Sequence, residues 1–306
     1  MFRARRLHPG LAALLLLTGT LALATPAAAE GSIIGQDRDV ARMVSLGGSC
    51  NRCELSGRNL AGATFTGASF IGASLVGTTL RGAELLGSNF SGSDFSNADL
   101  QGAEILGSNF TDVNFNNADL RGVEAQGANF TRANLRNSNL SGAELLGANM
   151  NGAVLDGADA SGAELFGANL ANISARGTIF AGAEMNAANL AGGDFTGARF
   201  NDAELDGARL GGAVLRATSF NDASMTRTDI RGADLSSARG LTQSQVSEAC
   251  GDSSTRLPRG LTARNCGSRL VSVGSRGRVA PPAPAAPPAP PAPPAPRRDF
   301  AKADPR

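Results

Sequence analysis

From Leu55 to Leu235, every fifth position is Leu, Phe, Ile, Met or Ala, a run of 37 slots without a polar residue. No α-helix has this period, and no simple strand does either. The residue two before each slot is nearly always small, as in Ala63, Ala68, Ala73, Thr78, Ala83 and Ser88. The residue between is mostly polar, as in Asn59, Glu84, Asn89, Asp94 and Asp99, and the residue two after is usually Gly. In a short extended segment, residues i and i−2 share a side. The large centre and its small partner are therefore expected to face inward and the intervening polar residue outward. Glycine eases a turn after each side. A chain that turns inward this often must coil, and stacked coils bury one continuous core.

The pattern A(D/N)LXX, seen in "NADLQGAEIL" and "RANLRNSNLSG", resembles the pentapeptide-repeat family over about residues 53–239. The resemblance implies an all-β solenoid, a right-handed quadrilateral β-helix with four pentapeptides per coil. About nine coils and a rod of roughly 45 Å would follow at ~4.8 Å per stacked strand. Arg58 departs from the pattern in an inward small slot, so the first coil is expected to open to solvent there. Val123 beside Ala125 and Ile173 beside Ala175 exchange large and small, as close packing would demand.

Four fives make twenty, and the sequence echoes at that spacing: "GAELLGSNF" at 82–90 returns as "GAEILGSNF" at 102–110. Residues twenty apart should stack. One column is then Glu84, Glu104, Glu124, Glu144, Glu164, Glu184 and Glu204. A second is Asn89, Asn109, Asn129, Asn149, Asn169 and Asn189, suited to an amide ladder. A third is Asp99, Asp119, Asn139 and Asp159. Stacked glutamates repel. Arg81 and Arg121 lie near two rungs, while Ser, Ser, Ala and Asn stand at 141, 161, 181 and 201. The column is expected either to splay into water as a product of duplication or to bind something cationic. Beside it Leu86, Leu106, Leu146 and Phe166 should point outward, interrupted by Gln126. Such an apolar stripe is a candidate contact surface, for a partner or for self-association.

A solenoid needs covered ends. Before the repeats (30–52), "DRDVARMVSLGGSC" predicts a short helix with Val40, Met43 and Val44 on one side. After them (240–266), "LTQSQVSEACG" predicts a helix from about Thr242, closed by Gly251. Four cysteines allow three pairings. The two ends of the implied rod lie several tens of ångströms apart, and a disulfide needs Cα atoms within about 7 Å. That leaves Cys50–Cys53 and Cys250–Cys266 within one chain, and it rejects a four-cysteine zinc site. Both segments resemble caps of exported bacterial pentapeptide-repeat proteins, in which CxxCxLSG begins the coil and ACGDxxTxLPxGL follows it. A redox role for the CxxC lacks a thioredoxin-like context.

Composition changes the picture at both ends. Arg3, Arg5 and Arg6 precede an apolar run, Leu11–Ala24, and small residues before Ala29, the pattern of a secretory signal peptide over 1–29. The run is short for a bilayer span, which needs ~20 apolar residues, so no transmembrane segment is expected in the mature chain. A periplasmic or secreted destination follows, where disulfides persist. From 267 to 306 the chain is Pro/Ala-rich and basic, which predicts an extended, solvated tail. From Leu241 onward ten Lys/Arg face four Asp/Glu, whereas Glu54–Arg239 holds twelve Arg against twenty acids. The tail is a candidate tether to an anionic envelope component or to the acid face.

The only histidine, His8, lies in the signal, so a Ser-His-Asp triad or Cys-His dyad cannot form in the mature chain. No P-loop or dinucleotide fingerprint appears. A ladder of equivalent glutamates supplies neither the cleft nor the two distinct carboxyl environments a glycosidase needs. No catalytic, cofactor or metal residue is expected. The reading is an exported, non-enzymatic scaffold with an unidentified protein or envelope partner, possible homo-oligomerisation and no nucleic acid. The alternative is a DNA-mimicking inhibitor of DNA gyrase, a role some members of the family have. The signal peptide opposes it.

Overall fold

The computed structural model describes residues 47–266. The signal, the expected N-terminal helix with Val40, Met43 and Val44, and the tail lie outside the described residues. Parallel bridges join residues twenty apart without interruption from Ser49↔Ser69 to Ser219↔Arg239. The stacked coils therefore begin at Ser49, four residues before the boundary expected at 53. Each outward residue and its centre bond in opposite directions along the stack. Glu104 N–H donates back to Ala83 O (2.8 Å), and Leu85 N–H donates forward to Glu104 O (2.6 Å).

The corners explain the glycines. At a representative corner, Ala63 N–H returns to Leu60 O at 3.1 Å, and Gly62, third of the four residues, has φ +65°. A positive φ at the third residue alone defines a type II turn, which favours Gly or Asn there. Asn97, Asn117 and Asn137 fill the same place with φ between 53° and 58°.

The centre residues form one core. Phe70, Phe90, Phe110 and Phe130 stack with centroids 4.8, 5.2 and 5.3 Å apart, and Phe180, Phe200 and Phe220 repeat the arrangement. The coil spacing thus sets ring spacing inside the favourable range for offset stacking. Val123, Ala125, Ile173 and Ala175 are all buried. One coil above Ile173 and Ala175 the sizes reverse. Gly193 sits beside Phe195, and a Cβ on Gly193 would lie 2.6 Å from the Phe195 ring. Hydroxyls in small slots are buried yet satisfied: Thr78 Oγ1 donates to Leu55 O (2.9 Å) and Thr178 Oγ1 to Leu155 O (2.7 Å). Arg58 is half-buried, as is Cys53 in the preceding small slot, so the first coil is more open there than the coils above it.

The C-terminal end is closed by α1, Gln243–Glu248. Thr242 and Gln245 form a capping box, and Val246 is buried beneath the helix. Gln245 Nε2 also donates to Phe220 O (2.9 Å) and Ala223 O (2.8 Å). Beyond the helix, Cys250 bridges Asp229 and Arg256 bridges Asp234, so the backbone pairing resumes with a shifted register. The expected closure of the helix by Gly251 is corrected. The helix ends at Glu248 and its cap, Ala249, is extended. Gly251 is buried, without a positive φ, and a Cβ there would lie 2.5 Å from the Ala263 Cβ. Its lack of a side chain serves close approach, not a left-handed cap. Both disulfides are present, Cys50–Cys53 with Cα atoms 5.3 Å apart and Cys250–Cys266 with 5.1 Å.

Candidate interaction face

The register places the seven glutamates in one continuous column, from Glu84↔Glu104 through Glu184↔Glu204. They sit on the outward, middle position of each side because Ala83 and Leu85, and their equivalents, hold the inward positions. The column ends against Thr64 below and Ser224 above. Thr64 Oγ1 donates to Glu84 (3.4 Å), Gln126 Nε2 to Glu144, and Asn186 Nδ2 to Glu204 (2.7 Å). These are neutral donors.

The cations expected near the column turn elsewhere. Arg81 pairs with Asp99 and Arg121 with Asp119, both on the aspartate column of the preceding side. The Arg121 guanidinium, hydrogen-bonded to Asp119, holds that carboxyl below its ordinary range. Arg132 does the same for Asp112. Arg121 and Arg132 grip their aspartates through two N–H···O contacts, and Arg81 holds Asp99 through Nε. The glutamate column is left with its repulsion and its neutral donors.

The apolar row is uneven. Phe166 is 56% exposed and Leu146 37%. Leu86 and Leu106 are only half-buried corner residues, so the contact stripe expected over four rungs narrows to two exposed ones. Gln126 is more than an interruption. Its Nε2 reaches Glu144 while its Oε1 is buried without a partner. The sequence gives no signal for this orphaned oxygen.

The asparagine column forms its ladder. Asn109 Nδ2 donates to Asn89 Oδ1 (3.1 Å), Asn169 to Asn149 (3.0 Å) and Asn189 to Asn169 (3.2 Å). Thr131 Oγ1 takes over between Asn129 and Asn149, accepting from Asn149 Nδ2 at 3.0 Å. Each Asn Oδ1 also accepts the N–H two residues on, which braces the corner. This column is structural.

Among the described residues no cluster of three or more metal-ligating side chains occurs, and no helix is long and apolar enough to cross a membrane. The family model for pentapeptide repeats matches eight copies, over residues 49–87, 75–112, 88–124, 128–165, 163–202 and 203–239. The chain belongs to the pentapeptide repeat family. Members are generally non-catalytic structural or protein-interaction proteins. Similar solved pentapeptide repeat structures include HetL of the cyanobacterium Nostoc sp. strain PCC 7120, a protein involved in heterocyst differentiation regulation. It is 27% identical with a TM-score of 0.33, over 66% of this chain and 86% of that one. A protein from the Arabidopsis thaliana thylakoid lumen is 30% identical with a TM-score of 0.27, over 35% and 67%. QnrB1, a plasmid-mediated fluoroquinolone resistance protein, is 23% identical with a TM-score of 0.35, over 71% and 92%. No curated protein matches the sequence.

Proposed function

We propose that this pentapeptide repeat protein is an exported, non-enzymatic scaffold that binds a protein or envelope component through its glutamate face. The observation that carries the reading is the exposure of Phe166 and Leu146 directly beside the stacked rungs Glu144 and Glu164, which have no ion pair among the described residues. An aromatic anchor with an anionic rim suits a partner that presents an apolar side chain flanked by Lys or Arg. Export rests on the signal-like residues 1–29 and on the two disulfides, which persist in an oxidising compartment.

The acid balance of the repeats favours one second reading, mimicry of DNA toward a gyrase. Cell fractionation separates the two. The scaffold reading expects the mature protein outside the cytoplasm. There, crosslinking should capture an envelope partner in a Phe166-dependent manner, with and without residues 267–306. A cytoplasmic product that inhibits gyrase supercoiling would replace it with the second reading.

A further inference from the structure

The face that carries Asp99, Asp119, Asn139 and Asp159 changes sign toward the C-terminal end. Its column continues as Ile179, Arg199, Ser219 and Arg239. Seven arginines elsewhere on the coils find carboxylates by a few fixed offsets, while Arg52, Arg209 and Arg227 have no ion pair among the described residues. The partner lies 18 residues ahead for Arg81–Asp99, Arg176–Asp194 and Arg216–Asp234. It lies two behind for Arg121–Asp119 and Arg231–Asp229, and one coil away for Arg132–Asp112 and Arg136–Asp156. For Arg199 those positions hold Ala217, Gly197, Ile179 and Ser219; for Arg239 they hold Leu257, Ser237 and Ser219. None is acidic. Among the described residues neither guanidinium has an ion-pair or hydrogen-bond partner.

Between the two lies a surface hollow of about 540 Å³, with Gly197, Ala198, Ala217 and Ser219 as its small-residue lining. Because short Ser219 separates the arginines on the stack, their strands stand two spacings apart, roughly 10 Å. That gap admits one oxyanion with a charge-assisted N–H···O contact of ~2.8 Å on either side. The Ser219 hydroxyl is already committed: it donates to Asn201 Oδ1 (2.6 Å) and accepts from Asn221 Nδ2 (3.2 Å). The guanidinium forks are the charged donors facing the hollow, beside the amides of Asn201 and Asn221, and their planar geometry suits phosphate oxygens.

We propose that Arg199 and Arg239 form a binding site for a phosphate-type dianion, either free or as a lipid phosphomonoester headgroup. The site lies on the aspartate–arginine column and does not depend on the glutamate-face reading. The test titrates inorganic phosphate into the full mature protein by calorimetry at constant ionic strength. A parallel arm measures sedimentation with vesicles of phosphatidylcholine containing phosphatidic acid. Saturable binding in either arm is expected, weakened at least tenfold by Arg199→Gln and by Arg239→Gln, and unchanged by Arg227→Gln on an exposed corner. Phosphate binding without vesicle binding assigns a soluble ligand, and binding to vesicles assigns the headgroup. No saturable binding in either arm, or an equal loss in Arg227→Gln, overturns the proposal. Thermal midpoints of the variants without ligand confirm that any loss is not unfolding.

Discussion

The Gln245 side chain closes the last coil by donating to the Phe220 carbonyl (2.9 Å) and, with its second N–H, to the Ala223 carbonyl (2.8 Å). Its Oε1 accepts from Thr242 N–H (2.8 Å), so one amide satisfies both the helix start and the exposed edge of the solenoid. Gln245→Ala removes both roles. The expected cost is about 1–2 kcal/mol by urea denaturation, with end-to-end association appearing in light scattering as the edge is uncovered. An unchanged midpoint would show that α1 covers the edge without this side chain.

Gly193 tests the packing account. Its φ is not in the left-handed region, so any penalty for a side chain there is steric. Gly193→Ala puts a Cβ 2.6 Å from the Phe195 ring and should cost about 1–3 kcal/mol. Phe195→Leu in the same chain should recover part of that loss, giving a favourable coupling in a double-mutant cycle. Additive losses would mean that the two residues do not share the space.

Repulsion along the glutamate column predicts a salt signature. Glu164 stands between Glu144 and Glu184 on bridged neighbours. Glu164→Gln should raise the thermal midpoint at low salt, by at most about 1 kcal/mol for each neighbour relieved. The gain should vanish near 1 M NaCl, where the screening length is about 3 Å. A gain that persists at high salt would point to a new amide ladder instead of relieved charge.

Asp252 predicts the acid response of the C-terminal cap. The Ser254 hydroxyl, with N–H groups of Gly232 and Ser254 and the Thr255 hydroxyl, holds its carboxyl down at about 2. A depressed carboxylate stabilises the folded state above its unfolded value and loses that contribution as pH falls through its folded value. The cap should therefore loosen between about pH 4 and pH 2, followed by amide exchange at Arg256 and Cys250. Asp252→Asn should remove this step. A cap equally protected at pH 2 and pH 5 would contradict the assignment.

Much of the fold was legible because its period is written in large residues. The inward slots from Leu55 to Leu235 and the twenty-residue echo of Glu84 and Asn89 follow from local spacing, and the pairing of Cys50 with Cys53 follows from the length of the rod that the resemblance implies. What escaped depends on contacts between segments that no period records. Gly251 looks like a helix stop until Ala263 is packed against it. Arg81 and Arg121 look like partners of glutamates until the shorter aspartates compete for them. Leu86 and Leu146 are equivalent in sequence, yet Leu146 is the more exposed of the two. Arg199 and Arg239 stand out only when the stacking places one hollow between them, because Arg209 and Arg227 lack an ion pair too.

The central claim, that the Glu144–Glu164 face with Phe166 and Leu146 is where this protein meets its partner, is tested most directly by quantitative crosslinking in the cell envelope. Wild type would be compared with Phe166→Glu, Leu146→Glu and a control, Ile71→Glu, which changes an exposed apolar residue on a different face. The account predicts one saturable crosslinked species that Phe166→Glu abolishes, Leu146→Glu weakens and Ile71→Glu leaves intact, with all three variants folded. A crosslinked species that survives Phe166→Glu at wild-type yield, or is lost equally in all three, would contradict it.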